Sequence, residues 1–134
     1  MGFFIAGILA AVVSWVGNRA ALKLIGTKGI IILAPLVEEL AKSGAAIIAG
    51  SSMVLTHGMF GLIEGVYDAW DSGWSGLSAG LLSFLGHIFY GLVTWQVWQK
   101  HGVFWLAVIA GYVVHTLWNA LVMKFVVKKR RITG

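Results

Sequence analysis

The chain has 134 residues, of which 59% are hydrophobic and only 11% charged, against roughly a quarter charged in a soluble domain. Mean hydropathy is +0.88. So much apolar side chain cannot be hidden in a soluble domain of this length, so the composition points to an all-α polytopic transmembrane bundle with a single domain. The net charge of +5 does not indicate nucleic acid, because the basic residues gather at the ends of apolar segments, where they set topology and meet anionic lipid headgroups. With no Cys, disulfides and Cys-based zinc sites are excluded.

A bilayer crossing takes about 20 apolar residues, and five are expected: Gly2–Gly17, Gly29–Gly50, Met53–Trp70, Trp74–Trp98 and Gly102–Val126. The breaks read "NRAALKLIGTK", "GSS", "DSG" and "QKHG", each with turn residues or charge. The first segment has neither a basic stretch ahead of it nor a small-x-small cleavage site, so it is expected to stay as a helix. Residues 1–127 then form one transmembrane domain, and 128–134 a basic, disordered cytoplasmic tail. Arg19, Lys23, Lys28, Lys124, Lys128, Lys129, Arg130 and Arg131 fall on one side of such a bundle and Lys100 on the other. That asymmetry predicts the N-terminus outside and the C-terminus inside. The expected location is a prokaryotic or viral plasma membrane.

Several polar residues lie deep in these spans. On the second, Glu38 and Lys42 are four apart and share a face, while Glu39 points about 100° away. Pro35, the only proline, removes one backbone bond and is expected to kink or restart the helix just before Glu38. On the third span His57, Glu64 and Asp68 fall near one stripe. On the fourth, His87 stands alone about halfway along. On the fifth, His115 and Asn119 share a face. Each has a bland alternative: an ion pair that lowers insertion cost for Glu38 and Lys42, a packing histidine for His87, helix–helix adhesion for Asn119. His57 and Asp68 are read as interfacial, near helix ends. The conjunction on four of five spans marks a functional site, because intramembrane ionisable groups are costly unless they meet.

The motifs "EELAK", "FGLIE", "GHIFYG" and "HTLWN" follow one another on successive helices. In that order they resemble the PrsW-like intramembrane proteases, part of the wider group with the CAAX prenyl endopeptidases and Abi-type proteins. The resemblance covers about 35–121. It implies that Glu38 and Glu39 are the first-motif glutamates, with Lys42 in the basic place. Phe60 and Glu64 supply the second motif, His87 the third, and His115 with Asn119 the last. The second-motif Glu64 follows the PrsW branch, where the CAAX branch has His. Such proteases cut membrane proteins within or beside a transmembrane segment. The chain is shorter than typical members and keeps the motif-bearing core plus one leading helix.

Peptide hydrolysis needs an activated water and donors for the oxyanion. Glu38 is expected to be the base, with Glu64 or His87 holding the same water and His115 and Asn119 facing the oxyanion. A zinc site built from Glu38, Glu64, His87 and His115 is the rival; the sequence lacks H-E-x-x-H spacing, and a metal-free site is the preferred expectation. "GWSG" at 73–76 matches the G-x-S-G of rhomboid serine proteases, but the motif order is reversed and Ser75 falls at a membrane edge. Two other functions compete: a non-catalytic subunit that binds a partner helix or complex, and a proton or cation path. The expected partners are a membrane-protein substrate or helix, anionic lipid, and a second copy of the chain.

Overall fold

The computed structural model describes residues 1–133; the side chains of residues 27, 28, 30, 72–75, 123 and 125–133 lie outside the description. These include Lys28, Ser75, Lys128, Lys129, Arg130 and Arg131, so the expectations placed on those side chains lie there too. The described chain is helical, with α1 (Gly2–Ile25), α2 (Thr27–Ile48), α3 (Met53–His101) and α4 (Phe104–Thr133). Among the described residues, three stretches are long and apolar enough to cross a membrane: Gly2–Ile25, Gly76–His101 and Phe104–Val122. The second and third expected spans are helical as well. They carry the ionisable residues, Glu38, Glu39 and Lys42 in one and Glu64 and Asp68 in the other.

Each junction turns on a glycine with positive φ: Gly26 at 61°, Gly50 at 55° and Gly102 at 65°. Side chains other than glycine rarely adopt that region. The expected break at "NRAALKLIGTK" is therefore narrower than the sequence suggests. Its Ala, Leu and Lys residues are strong helix formers, and α1 continues to Ile25 before Gly26 turns the chain. Ser52 caps α3, accepting from the Leu55 amide at 3.3 Å. α2 passes through Pro35 without restarting. The backbone of α4 stays helical to Thr133, where a disordered tail is expected.

α3 is helical along 49 residues but is not straight. In a straight helix Gly65 and Gly80 would stand about 22 Å apart. Instead, a methyl group built on Gly65 would meet the Gly80 carbonyl oxygen at 2.7 Å. A methyl on Gly91 would meet Val54 and His57, and one on Gly58 would meet Phe84 and Ile88. The chain thus reverses between these pairs, and α3 forms two antiparallel arms, 53–70 and 76–101. This is the break expected at "DSG", made without a loop.

Burial runs opposite to that of a soluble protein. Ala6, Gly7, Ala10, Ser14 and Ala21 of α1 are buried, whereas Ile5, Leu9, Val12, Val13 and Val16 are exposed. Small residues inside let helix backbones approach, and large aliphatic ones outside suit a hydrocarbon solvent. α2 and α3 are each packed on the other three elements, while α1 and α4 make no contact among the described residues. The polar residues of α2 therefore face three neighbouring elements at once.

Candidate functional site: a buried carboxylate, lysine and histidine cluster

Glu38, Glu39, Lys42, His57, His87 and His115 are all at least 96% buried, and they meet. α2 supplies the first three. Lys42 lies three residues from Glu39 and four from Glu38, so both carboxylates lie within reach on the helix surface. Its Nζ donates to Glu39 Oε1 at 2.7 Å and stands 3.9 Å from Glu38 Oε2. The preference for Glu39 over the face-sharing Glu38 has a cause in α1. There Asn18 Nδ2 donates to Glu38 Oε1 at 2.8 Å and draws that carboxylate away.

The two arms of α3 bring His57, Glu64 and His87 to the same place. Lys42 Nζ lies 2.9 Å from His87 Nδ1. An ammonium has only hydrogens to give, so Nδ1 accepts and the ring proton sits on Nε2. That Nε2–H donates to Glu64 Oε2 at 2.7 Å, and Ser83 Oγ donates to the same oxygen at 2.6 Å. Phe60 lies beside both partners, with its ring 4.7 Å from Lys42 Nζ and 4.9 Å from the His87 ring. Its π-face favours the cation.

α4 contributes His115, whose Nδ1 is 3.0 Å from Glu39 Oε1. A carboxylate accepts, so Nδ1 carries the proton and Nε2 presents a lone pair. Tyr90 stacks on this ring at 4.5 Å between centroids and fixes its plane. His115 Nε2 then faces Glu38 Oε2 at 3.7 Å, and Glu38 Oε2 is buried with no hydrogen-bond partner. Two acceptors this close are compatible with one shared hydrogen, either the carboxyl proton of a protonated Glu38 or one from a water. A 3.7 Å gap leaves space for a water at about 2.8 Å from each atom.

Glu38, Glu39, Lys42, Glu64, His87 and His115, with Phe60, are thus brought together. Pro35 is fully buried one turn before Glu38. Asn119 is half-buried, with no described hydrogen bond to the cluster. Asp68 is half-buried towards the reversal of α3 and does not reach the centre. His57 lies near the start of α3, as expected, but is enclosed by protein there. His57 is fully buried, with Nδ1 at 3.7 Å from Glu39 Oε2 and Nε2 at 3.4 Å from Ser43 Oγ. Sequence reasoning also missed Asn18, Ser83, Tyr90 and Gly111. A methyl group on Gly111 would sit 2.7 Å from Glu39 Oε2, so α4 passes close to Glu39. The sequence signal was available for that one: Gly111, His115 and Asn119 repeat at four-residue spacing.

Glu38, His87 and His115 offer donor atoms within 4.8 Å of one another, close enough to hold a metal ion. Glu64 is not in that group. The set fits a metal poorly, because the Lys42 ammonium is bonded to His87 Nδ1 and His87 Nε2 is bonded to Glu64. A fixed positive charge already stands among the donors. Comparison with family models, with curated proteins and with solved structures returns no match to this chain.

Proposed function

We propose that the chain is an intramembrane endopeptidase of PrsW-like type, hydrolysing a peptide bond in or near a transmembrane segment with glutamate-activated water. The observation that carries this reading is the opposed pair Glu38 Oε2 and His115 Nε2, 3.7 Å apart. A water held there gives one hydrogen to each acceptor and keeps its lone pairs free for attack. Glu39 orients His115 through Nδ1 as an orienting carboxylate does in hydrolytic triads. When the water attacks a carbonyl, its proton passes to Glu38. Glu38 returns that proton to the leaving amine as the C–N bond breaks, and His115 Nε2 accepts the second proton, from the new hydroxyl.

The reading is metal-free. Lys42 supplies a fixed positive charge within the cluster, and no step passes through an ion. Stoichiometric zinc in purified protein, with activity lost on its removal, would reverse this choice. All five expected spans belong to the proposal, N-terminus outside and C-terminus inside. α2 and the first arm of α3 then cross with their charged groups paired inside the bundle. Arg19, Lys23, Lys100 and Lys124 are all exposed, as headgroup contacts must be.

One observation favours the second reading, a non-catalytic subunit that binds a partner helix. Glu39 and Lys42 have no solvent exposure, and a binding subunit needs no access to its centre. The deciding experiment compares new protein N-termini in host-cell membranes containing the wild type or Glu38→Gln at equal expression. New termini near transmembrane segments, found only with the wild type, are expected. Identical profiles from two folded, inserted proteins would sink the protease reading and leave the binding subunit.

A further inference from the structure

α1 carries polar atoms that the assembly buries without pairing. Asn18 Nδ2 donates to Glu38 Oε1 at 2.8 Å, but Asn18 Oδ1 is buried with no hydrogen-bond partner among the described residues. Ser14 lies four residues earlier on the same face. It is 1% exposed, and its Oγ is likewise buried without a partner among those residues. A buried polar atom without a partner is costly, and a ligand that supplies one removes the cost. The Glu38 carboxylate stands between α1 and α4: Oε1 meets Asn18, and Oε2 faces His115 Nε2 at 3.7 Å. Oε1 accepts whether Glu38 is ionised or protonated at Oε2, so Nδ2 faces Glu38 in both states and Oδ1 does not.

The ligand chemistry follows from the carboxamide. Nδ2 has two hydrogens, of which Glu38 takes one; the second is a donor, with the acceptor Oδ1 beside it. In an extended chain the N–H and C=O of one residue point to the same side, as paired residues of an antiparallel ladder do. One carboxamide edge, with a donor and an acceptor, matches that pair. Ser14 Oγ lies one helical turn away, about 6 Å along α1. Alternate residues of an extended chain are roughly 6.6–6.8 Å apart, and a hydroxyl both donates and accepts. A transmembrane segment opened for cleavage exposes such backbone groups, and in a bilayer each needs a partner.

We propose that Asn18 is a catalytic residue of this site and binds the scissile peptide as an extended chain: Oδ1 accepts the N–H of the residue before the cut, and the second Nδ2 hydrogen is donated to that residue's carbonyl oxygen. The proposal rests on the hydrolase reading and supplies its oxyanion donor. Water held between Glu38 Oε2 and His115 Nε2 attacks the carbonyl carbon. As the new C–O bond forms, the π pair of the C=O bond moves onto oxygen. Nδ2 keeps its hydrogen and donates it more strongly to that charged oxygen. Ser14 Oγ pairs with the backbone two residues along. Asn18 thus takes the place expected of Asn119, which makes no described hydrogen bond to the cluster.

The test uses the full chain in proteoliposomes with a substrate identified by its new N-terminus. Asn18→Leu keeps the side-chain shape and removes both polar atoms. It should lower kcat about 10²–10³-fold, the loss that follows removal of one oxyanion donor. A second readout separates substrate binding from mere support of Glu38. Glu38→Gln should hold uncut substrate, scored by co-purification after crosslinking. Adding Asn18→Leu to Glu38→Gln should lower the captured fraction roughly five- to tenfold. Unchanged cleavage in Asn18→Leu overturns the proposal. So does slowed cleavage with undiminished capture, since Asn18 would then only orient Glu38, and so does a larger loss in Asn119→Ala. If Asn18→Leu does not fold, Asn18→Ala, which matches Ala10 and Ala21 on the same buried face, is read by the same criteria. A wild type that makes no new termini is a different result: the hydrolase reading fails, and the proposal falls with it.

Discussion

Lys42 donates to Glu39 and His87 from a position with no exposure. Removing its charge leaves buried carboxylates without a counter-ion, which costs about 3–5 kcal/mol when one partner of a buried pair is lost. Lys42→Met should therefore lower stability by that order, measured by denaturant titration in mixed micelles, and by more than Glu64→Gln, whose site is half-exposed. For Glu38→Gln the expected loss is in rate and not in fold, about 10²–10⁴-fold, the range of a missing general base. Asn18→Leu should free Glu38 Oε1 and weaken cleavage while leaving the other helices assembled. At this scale Glu38, Glu39, Lys42, Glu64, His87 and His115 were legible, because ionisable groups inside apolar runs stand out. Asn18 was not, since an Asn beside Arg19 reads as the start of a turn. Nor was the enclosure of His57: it lies one turn into α3, and Glu39 and Ser43 of α2 together with the second arm at Gly91 close around it.

The helices place these residues through missing side chains as much as through present ones. A methyl group on Gly61 would stand 2.7 Å from His87 Cβ, and one on Gly91 would stand 2.8 Å from His57 Cβ. Gly61→Ala and Gly91→Ala should each cost about 1–3 kcal/mol by overpacking and displace the histidine concerned. A lower denaturation midpoint in each variant, with helical content kept, is the check. α2 makes a different prediction. An isolated helix carrying Glu38, Glu39 and Lys42 should insert poorly, since each charged residue near a helix centre costs about 2.5–3.5 kcal/mol. Glycosylation mapping should show low insertion for the α2 segment alone and efficient insertion within the full chain. The element boundaries were legible where a glycine with positive φ ends a helix, at Gly50 and Gly102. They were not legible at "NRAALKLIGTK", where charge suggested a loop but helix-forming residues carry α1 on to Ile25.

For the whole molecule the inverted burial points to a membrane protein: large aliphatic side chains face outward while small residues and the charges of Glu38, Glu39 and Lys42 are enclosed. The helical architecture was legible from composition, since no other arrangement satisfies every backbone group within one apolar segment. The convergence of four motifs was not, because spacing along a chain does not fix which helices are neighbours. Orientation is checked by reporter fusions: a C-terminal reporter should be read from the cytoplasm and an N-terminal one from outside; the reverse would overturn the orientation, and both on one side would overturn the five-span arrangement. The doubled α3 also has a mechanical meaning. Its two arms touch backbone to backbone at Gly65 and Gly80, so a force applied at the C-terminus loads them as one body. In a pulling experiment α4 should leave the bilayer first, and the paired arms should follow together in a single longer step.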